Sequence, residues 1–208
     1  MVKFIKSLQA FIFLFISFAG SAEELKYLNR NHTLQEVLSD QAIVFGGHTV
    51  GYIATQWDIF RREGSAKQYN ENLGRFRFDN DNTAWNFFGH TYTGAQVYLY
   101  YRARGYRQDN SLYLSFLSSL WFETFIENYT ERPSFQDVFN TPLFGSALGF
   151  VMEKGSVQLI NSEKKWKRIL GRALNPFSFL VEGEESISFA PLIDKNGLLG
   201  GQVSFTYD

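Results

Sequence analysis

The sequence contains no cysteine. Disulfide bonds, thiolate nucleophiles and thiolate metal sites are therefore excluded, and so is a lipid anchor attached to a cysteine. The sequence also has no excess of basic residues, because 20 Lys and Arg stand against 21 Asp and Glu. A nucleic-acid-binding protein would carry a basic stripe, so we expect no nucleic-acid partner. After residue 22 no apolar run reaches the ~20 residues that a membrane-spanning helix needs.

The first feature that is present is an export signal. Residues 1–6 are short and basic, residues 7–18 are apolar, and residues 20–22 are small and precede Glu23. This three-part pattern is typical of a secretory signal peptide over residues 1–22. The apolar part is too short to span a bilayer comfortably, and a retained membrane anchor is the alternative. We therefore predict an exported protein of the periplasm or outer membrane of a Gram-negative bacterium.

The pattern of helix starts and stops predicts a mainly α fold. Capping residues, glycines and prolines place helices at about 34–62, 84–104, 111–129, 134–155 and 162–174, with a loop over 63–82. The local signals are a capping box at Thr33 and Glu36, caps at Asn110 and Ser134, a stop at Gly105, and a kink or fresh start at Pro142. The glycines at 46, 47 and 51 weaken the first helix and are a candidate break. We expect a bundle of four to five helices over residues 23–184, packed through small residues. Residues 185–208 contain two alternating segments around Asn196-Gly197, which predicts a C-terminal β-hairpin.

Two pairs of glycines are spaced by four residues. Gly47 and Gly51 lie in the first predicted helix, and Gly145 and Gly149 lie in the fourth. Residues four apart share a helix face, and small residues there let a second helix approach closely. We therefore predict helix–helix contacts at both pairs.

The last predicted helix is basic and amphipathic. Its basic residues include Lys164, Lys165 and Arg168. A helix of this kind can rest on anionic lipid headgroups, which predicts binding to a membrane surface. The alternative is an ordinary helix whose charged face is in water.

Ionisable residues interrupt the apolar helices at three places. They are His90 in the second helix, Glu123 and Glu127 in the third, and Asp137 at the start of the fourth. Unpaired burial of a carboxylate is costly, so these acids need partners, for which His90, Arg102, Arg104 and Arg132 are candidates. A Glu beside a His tunes a general base, and two Glu with a His could hold a divalent metal. Ser134 is a further binding candidate, and the alternative is a structural polar network.

Several short motifs follow one another over about residues 76–180. They include Asn86-Phe87-Phe88-Gly89-His90-Thr91-Tyr92-Thr93-Gly94, Glu131-Arg132-Pro133-Ser134-Phe135-Gln136-Asp137 and Leu174-Asn175-Pro176-Phe177. This series resembles a bacterial envelope family of unknown function, numbered 3943, although Thr91 stands where the family pattern has proline. The resemblance implies an envelope location and places the polar cluster on shared positions. A more distant similarity is to VanZ-like membrane proteins.

Two classes of function follow from these features. The first is a periplasm-facing, outer-membrane-associated module that binds lipid or another envelope protein through the basic helix and an aromatic surface. The second is a hydrolase that modifies envelope lipid or glycan, with His90 as base and Glu123 or Glu127 orienting it or holding a metal. A closed, fully paired network favours the first, whereas a pocket that reaches His90 and Glu123 favours the second. No phosphate-binding loop or zinc spacing assigns a cofactor.

Overall fold

The structure, a computed structural model, describes residues 26–78 and 88–181 with their side chains, and residues 185–193 and 199–207 as backbone. The predicted signal peptide and the Asn196-Gly197 turn lie outside these ranges. The described residues are mainly helical, as predicted. They form two compact units, of which one comprises 30–102 and 106–150 and the other comprises 26–29, 103–105 and the residues from 151 onward.

The described part of the chain contains seven α-helices, more than the four to five predicted. They are α1 (Leu34–Thr55), α2 (Trp57–Glu63), α3 (Ala66–Asn72), α4 (His90–Ala103), α5 (Gln108–Trp121), α6 (Phe135–Ile160) and α7 (Lys165–Leu174). A π-helical turn (Phe122–Ile126) and a 3-10 turn (Glu127–Tyr129) extend α5, and a second 3-10 turn (Pro176–Leu180) follows α7. Strands β1 (Glu185–Ile193) and β2 (Leu199–Tyr207) pair antiparallel, with Glu185 opposite Tyr207.

The helix starts that depend on local capping are where the sequence places them. Thr33 and Glu36 form the predicted capping box at the start of α1. The Ser134 hydroxyl accepts the Asp137 amide at 3.2 Å and so caps α6. At the end of α4, Gly105 has φ of 87°, which only glycine adopts readily, and Tyr106 N–H donates to the Tyr101 carbonyl. Local hydrogen bonds therefore account for these boundaries.

Other predicted boundaries are wrong. The first helix ends at Thr55 and a new one starts at Trp57, so the break is at Gln56 and not at the glycines. The predicted loop over 63–82 contains α3, because the Ser65 hydroxyl accepts the Gln68 amide at 3.0 Å and starts a helix there. Arg107, rather than Asn110, precedes α5.

Helix α6 continues past two residues that should have limited it. It runs through Pro142, where we expected a kink or a fresh start, and ends at Ile160 instead of Gly155. Gly145 packs directly on α4, since a Cβ at Gly145 would lie 2.5 Å from the Gly94 backbone. Gly149 similarly packs on Tyr98. The contact predicted from this glycine pair is confirmed, and close packing holds α6 against α4 directly after the proline.

Gly47 and Gly51 behave differently. A Cβ added at either would meet nothing within 4 Å, so no helix among the described residues packs against this face of α1. The predicted contact is wrong because the glycine spacing allows close approach without requiring it. These two residues border an open cavity instead.

A closed polar network joins α1 to α4 and the residues after it. Asp40 is fully buried and accepts hydrogen bonds from the Tyr100 hydroxyl at 2.7 Å and the Tyr106 hydroxyl at 2.9 Å. Next to it, the Ser118 hydroxyl donates to Gln41 at 3.1 Å and also contacts the Tyr101 hydroxyl. Each buried charge or amide in this network has a matched partner, as stable interiors require.

The second unit contains α7. Gly171 lies against Ile160, and its carbonyl accepts a hydrogen bond from Ser156 at 2.9 Å. Asn175 then accepts the Phe177 amide at 3.1 Å and caps the final 3-10 turn. Within the described ranges, no helix combines the length and the apolar composition needed to cross a membrane.

Candidate functional site

A cavity of about 400 Å³ opens between α1, α2, α4, the π-helical turn and α6 in the first unit. Its lining combines polar and apolar groups: Gly47, His48, Gly51, Tyr52, Thr55, Gln56, Ile59, Glu63, Gly89, His90, Thr93, Ser119, Phe122, Glu123, Glu127, Glu131 and Thr141. Its size lies in the range of ligand pockets, which start near 300 Å³. Three of the four predicted catalytic residues, His90, Glu123 and Glu127, line it.

The π-helical turn presents the two central acids. Glu127 N–H bonds to the Phe122 carbonyl, five residues back, which widens the helix by one residue at this point. The Glu123 and Glu127 carboxyls are hydrogen-bonded to each other, and the two groups share a proton. Glu123 also accepts the Ser134 amide at 2.8 Å, at the positive N-terminus of α6. The negative charge of the pair is therefore held on Glu123.

Burial changes the acidity of both carboxyls. Loss of water around them is the main cause, and it raises the pKa of Glu123 and raises that of Glu127 further. For Glu127, the nearby negative charge of Glu123 adds to the effect. Glu131 and Asp137 act in the same direction on both groups. The pair therefore holds a proton at pH values where an ordinary glutamate has lost it.

His90 faces a carboxylate that the sequence placed in the same cluster. Its Nδ1 lies 3.7 Å from Asp137 Oδ1 and 3.3 Å from the Thr141 hydroxyl. Asp137 is almost fully buried and lies behind His90, outside the cavity lining. The predicted partner for this histidine was a glutamate, and the structure places Asp137 there instead. An Asp beside one ring nitrogen orients the imidazole and favours its action as a base.

His48 is the residue of this site that the sequence analysis missed. Its ring packs edge-on against Phe122 with centroids 5.4 Å apart, and both ring nitrogens are buried without a hydrogen-bond partner in the described part of the chain. Burial lowers the pKa of His48 to about 4, so it is neutral at physiological pH. The tripeptide Gly-His-Thr occurs at residues 47–49 and again at 89–91, and both histidines line the cavity. This repeat was the available sequence signal.

The predicted binding residues are not part of the cavity. Ser134 is buried and positions Glu123 through its backbone amide. Arg132 is exposed, and neither Arg132 nor Arg104 lines the cavity that contains the acids. Arg102 does not line the cavity either, and it donates a hydrogen bond to the Tyr106 carbonyl.

The basic residues of the last helix lie in the second unit. Lys164 and Lys165 are exposed at the start of α7. Arg168 bonds to the carbonyls of Ser162 and Glu163 at 3.4 and 3.3 Å. Only the two lysines are thus fully presented to solvent.

The part of the cavity lining that the structure describes contains no Lys or Arg. Glu131 bonds to Arg77, which balances its charge, and Glu63 is exposed. Within the described ranges, no three His, Asp or Glu side chains lie close enough together to hold a metal. The chemistry that the residues themselves offer is proton transfer, with a carboxyl that retains its proton and a histidine backed by an aspartate.

The fold and the site define a mainly helical domain with an acidic cavity that contains two histidines. Residues 75–177, about half of the chain, match the family model described as domain of unknown function (DUF3943). This match confirms the family resemblance expected over about residues 76–180. No curated protein and no solved structure matches the chain. The matched segment contains His90, Glu123 and Glu127, whereas His48 and the glycines of α1 precede it.

Proposed function

We propose that this protein is an exported envelope hydrolase that works by acid–base catalysis in the cavity. The observation that carries this proposal is the proton-sharing pair of Glu123 and Glu127 in a pocket that also contains His90. A purely structural network has no need of an open cavity beside it. An envelope lipid or glycan is the substrate class, in line with the export signal predicted over residues 1–22.

The residues divide the reaction between them. His90, oriented by Asp137, removes a proton from a water molecule, whose oxygen then bonds to the electrophilic carbon of the substrate. The bond from that carbon to the leaving oxygen breaks, and Glu127 donates its proton to that oxygen. The proton on His90 later returns to the carboxyl pair through solvent, so atoms and charges balance. Acid and base contributions of this kind are typically worth about 10²–10⁴-fold in rate each.

The test is an activity screen with matched variants. The purified full-length chain is incubated with envelope glycan and with envelope lipid, and mass spectrometry detects hydrolysis products. We expect Glu127→Gln and His90→Ala to lower the rate at least 100-fold. Glu71→Gln is the control, because this exposed glutamate on α3 forms only a surface ion pair with Lys67. No product from the parent chain, or full activity in Glu127→Gln, contradicts the proposal.

A second function, docking of the protein on an anionic lipid surface, is supported by α7. Trp166 and Leu170, four residues apart, are 60% and 49% exposed on one face of this helix. Lys164 and Lys165 are exposed beside them. Exposed aromatic and aliphatic side chains next to basic residues match the apolar and charged layers of a membrane interface.

Vesicle sedimentation tests this docking. We expect the parent chain to bind vesicles rich in anionic lipid, and the Trp166→Ser, Leu170→Ser variant to lose most of that binding. The control is Leu34→Ser, Leu38→Ser, which removes an exposed i, i+4 pair from α1, a helix without Lys or Arg. Equal losses of vesicle binding in both variants would show nonspecific hydrophobic binding. Equal binding by the parent and the Trp166→Ser, Leu170→Ser variant would exclude docking through α7.

A further inference from the structure

Two glycines leave part of the α1 wall of the cavity without side chains. Gly47 and Gly51 lie on the same face of α1, both line the cavity, and an added Cβ at either meets nothing within 4 Å. A helix interior loses about 1 kcal/mol for each glycine relative to alanine. Two such residues facing empty space gain nothing from packing that would offset this loss. Their position instead leaves room for a ligand to rest on the helix backbone.

A second observation at the same wall points to a ligand with polar atoms. His48 lies between these glycines in the chain, and neither of its buried ring nitrogens has a partner among the described residues. A buried polar atom without a partner costs roughly 1–3 kcal/mol. A neutral imidazole has one donor and one acceptor, which is what a hydroxyl group can satisfy. The polar residues Thr55, Gln56 and Thr93 also line the cavity.

From this geometry we propose that the cavity binds an uncharged sugar ring, which lies on the Gly47 and Gly51 wall and forms hydrogen bonds with His48. The proposal rests on the proposed hydrolase function and names its substrate class as glycan. A sugar ring has hydroxyls at its edge and C–H groups on its faces. The rings of Tyr52 and Phe122, whose centroids are 5.6 Å apart, supply apolar surface for the faces of the sugar ring.

The electrostatics of the cavity support an uncharged ligand. Burial moves His48 and both central glutamates toward their neutral forms, because it raises the pKa of each acid and lowers that of the histidine. An environment that penalises both signs of charge favours a ligand with neither. An anionic headgroup would in addition meet Glu123 and find no basic side chain in the lining.

Three glycines of α1 allow a matched test. Gly46, like Gly51, has open space at its Cβ position, but it does not line the cavity. Gly51→Val and Gly46→Val change the helix in the same way, so both should fold with similar thermal stability. Only Gly51→Val fills the cavity. Calorimetric titration of the full-length chain then uses three disaccharides with one skeleton: N,N′-diacetylchitobiose (uncharged), chitobiose (cationic) and a glucuronic acid disaccharide (anionic).

We expect the parent chain and Gly46→Val to bind the uncharged disaccharide, and Gly51→Val to bind it at least ten-fold more weakly. Absence of binding by the parent, equal binding by Gly51→Val, or stronger binding of either charged analogue would overturn the proposal. Hydrolysis assays of the parent chain and of Glu127→Gln separate this binding result from the hydrolase proposal. If the sugar binds and the parent cleaves no glycan, the hydrolase proposal fails and the binding site stands. If the parent cleaves an envelope lipid and binds no sugar, the sugar-binding proposal fails and the hydrolase proposal stands.

Discussion

Asp40 and Glu123 are both acids with almost no contact with solvent, and they lie in the same compact unit. Asp40 accepts hydrogen bonds from two tyrosine hydroxyls, and its neighbours Gln41 and Ser118 are also partnered. Glu123 shares a proton with a second acid and borders a cavity in which His48 has no partner among the residues that the structure describes. Burial alone therefore does not mark a site. What separates the two regions is whether the polar groups are satisfied.

The largest expected effect comes from breaking the closed region. Asp40→Ala leaves the Tyr100 and Tyr106 hydroxyls buried without an acceptor, so we expect the free energy of unfolding to fall by about 3 kcal/mol or more. Urea unfolding measures it. Asp40→Asn is the control, since it keeps one acceptor oxygen and the volume of the side chain. An Asp40→Ala protein as stable as the parent would mean that this network is not structural.

A substitution in the region around the cavity should instead raise the free energy of unfolding. Glu127→Gln keeps a donor toward Glu123 and removes an acid that resists ionisation. Because the folded-state pKa of Glu127 lies above the ordinary 4.5, the folded state binds more protons there, and the parent loses stability as pH rises through that range. We expect Glu127→Gln to be about 2 kcal/mol more stable at neutral pH, with a flatter stability profile above the ordinary glutamate pKa of 4.5. Loss of stability in this variant at neutral pH would make the pair structural.

A smaller effect isolates His48. Its folded-state pKa of about 4 lies below the ordinary 6.5, so the parent loses stability as pH falls from 6.5 toward 4. His48→Phe retains the aromatic packing on Phe122 and removes this proton uptake. We expect the two proteins to differ by about 1 kcal/mol in the change of stability between about pH 7 and about pH 5.5, measured by urea unfolding. Identical changes would show that His48 is accessible to water in the folded protein.

The sequence predicts those parts of the fold that depend on neighbours in the chain. The capping box at Thr33, the cap at Ser134 and the stop at Gly105 are confirmed, because each is a hydrogen-bonding pattern within a few residues. The break at Gln56 has no comparable local signal. Helix α3 was missed because its polar composition is also that of a loop.

The site was predicted in part for the same reason. The spacing of Glu123 and Glu127 placed them on one face of the predicted helix. In the structure the two carboxyls are hydrogen-bonded to each other. The spacing of Gly47 and Gly51 was read as helix packing, and only the tertiary structure shows an open cavity there. Whether a small residue meets a helix or a void depends on elements far away in the chain. The role of His48 depends on the same void.

The π-helical turn at Phe122–Ile126 has a consequence for how related genes can differ in length. Such a turn is what a helix forms when one residue is inserted, and deletion of one residue restores the regular helix. A gene with one codon fewer between Glu123 and Glu127 would encode a chain that folds through the same segment but shortens the spacing of the two acids from four residues to three. Codon number in this short stretch would therefore distinguish descendants that keep the four-residue spacing of the pair from those that have lost it.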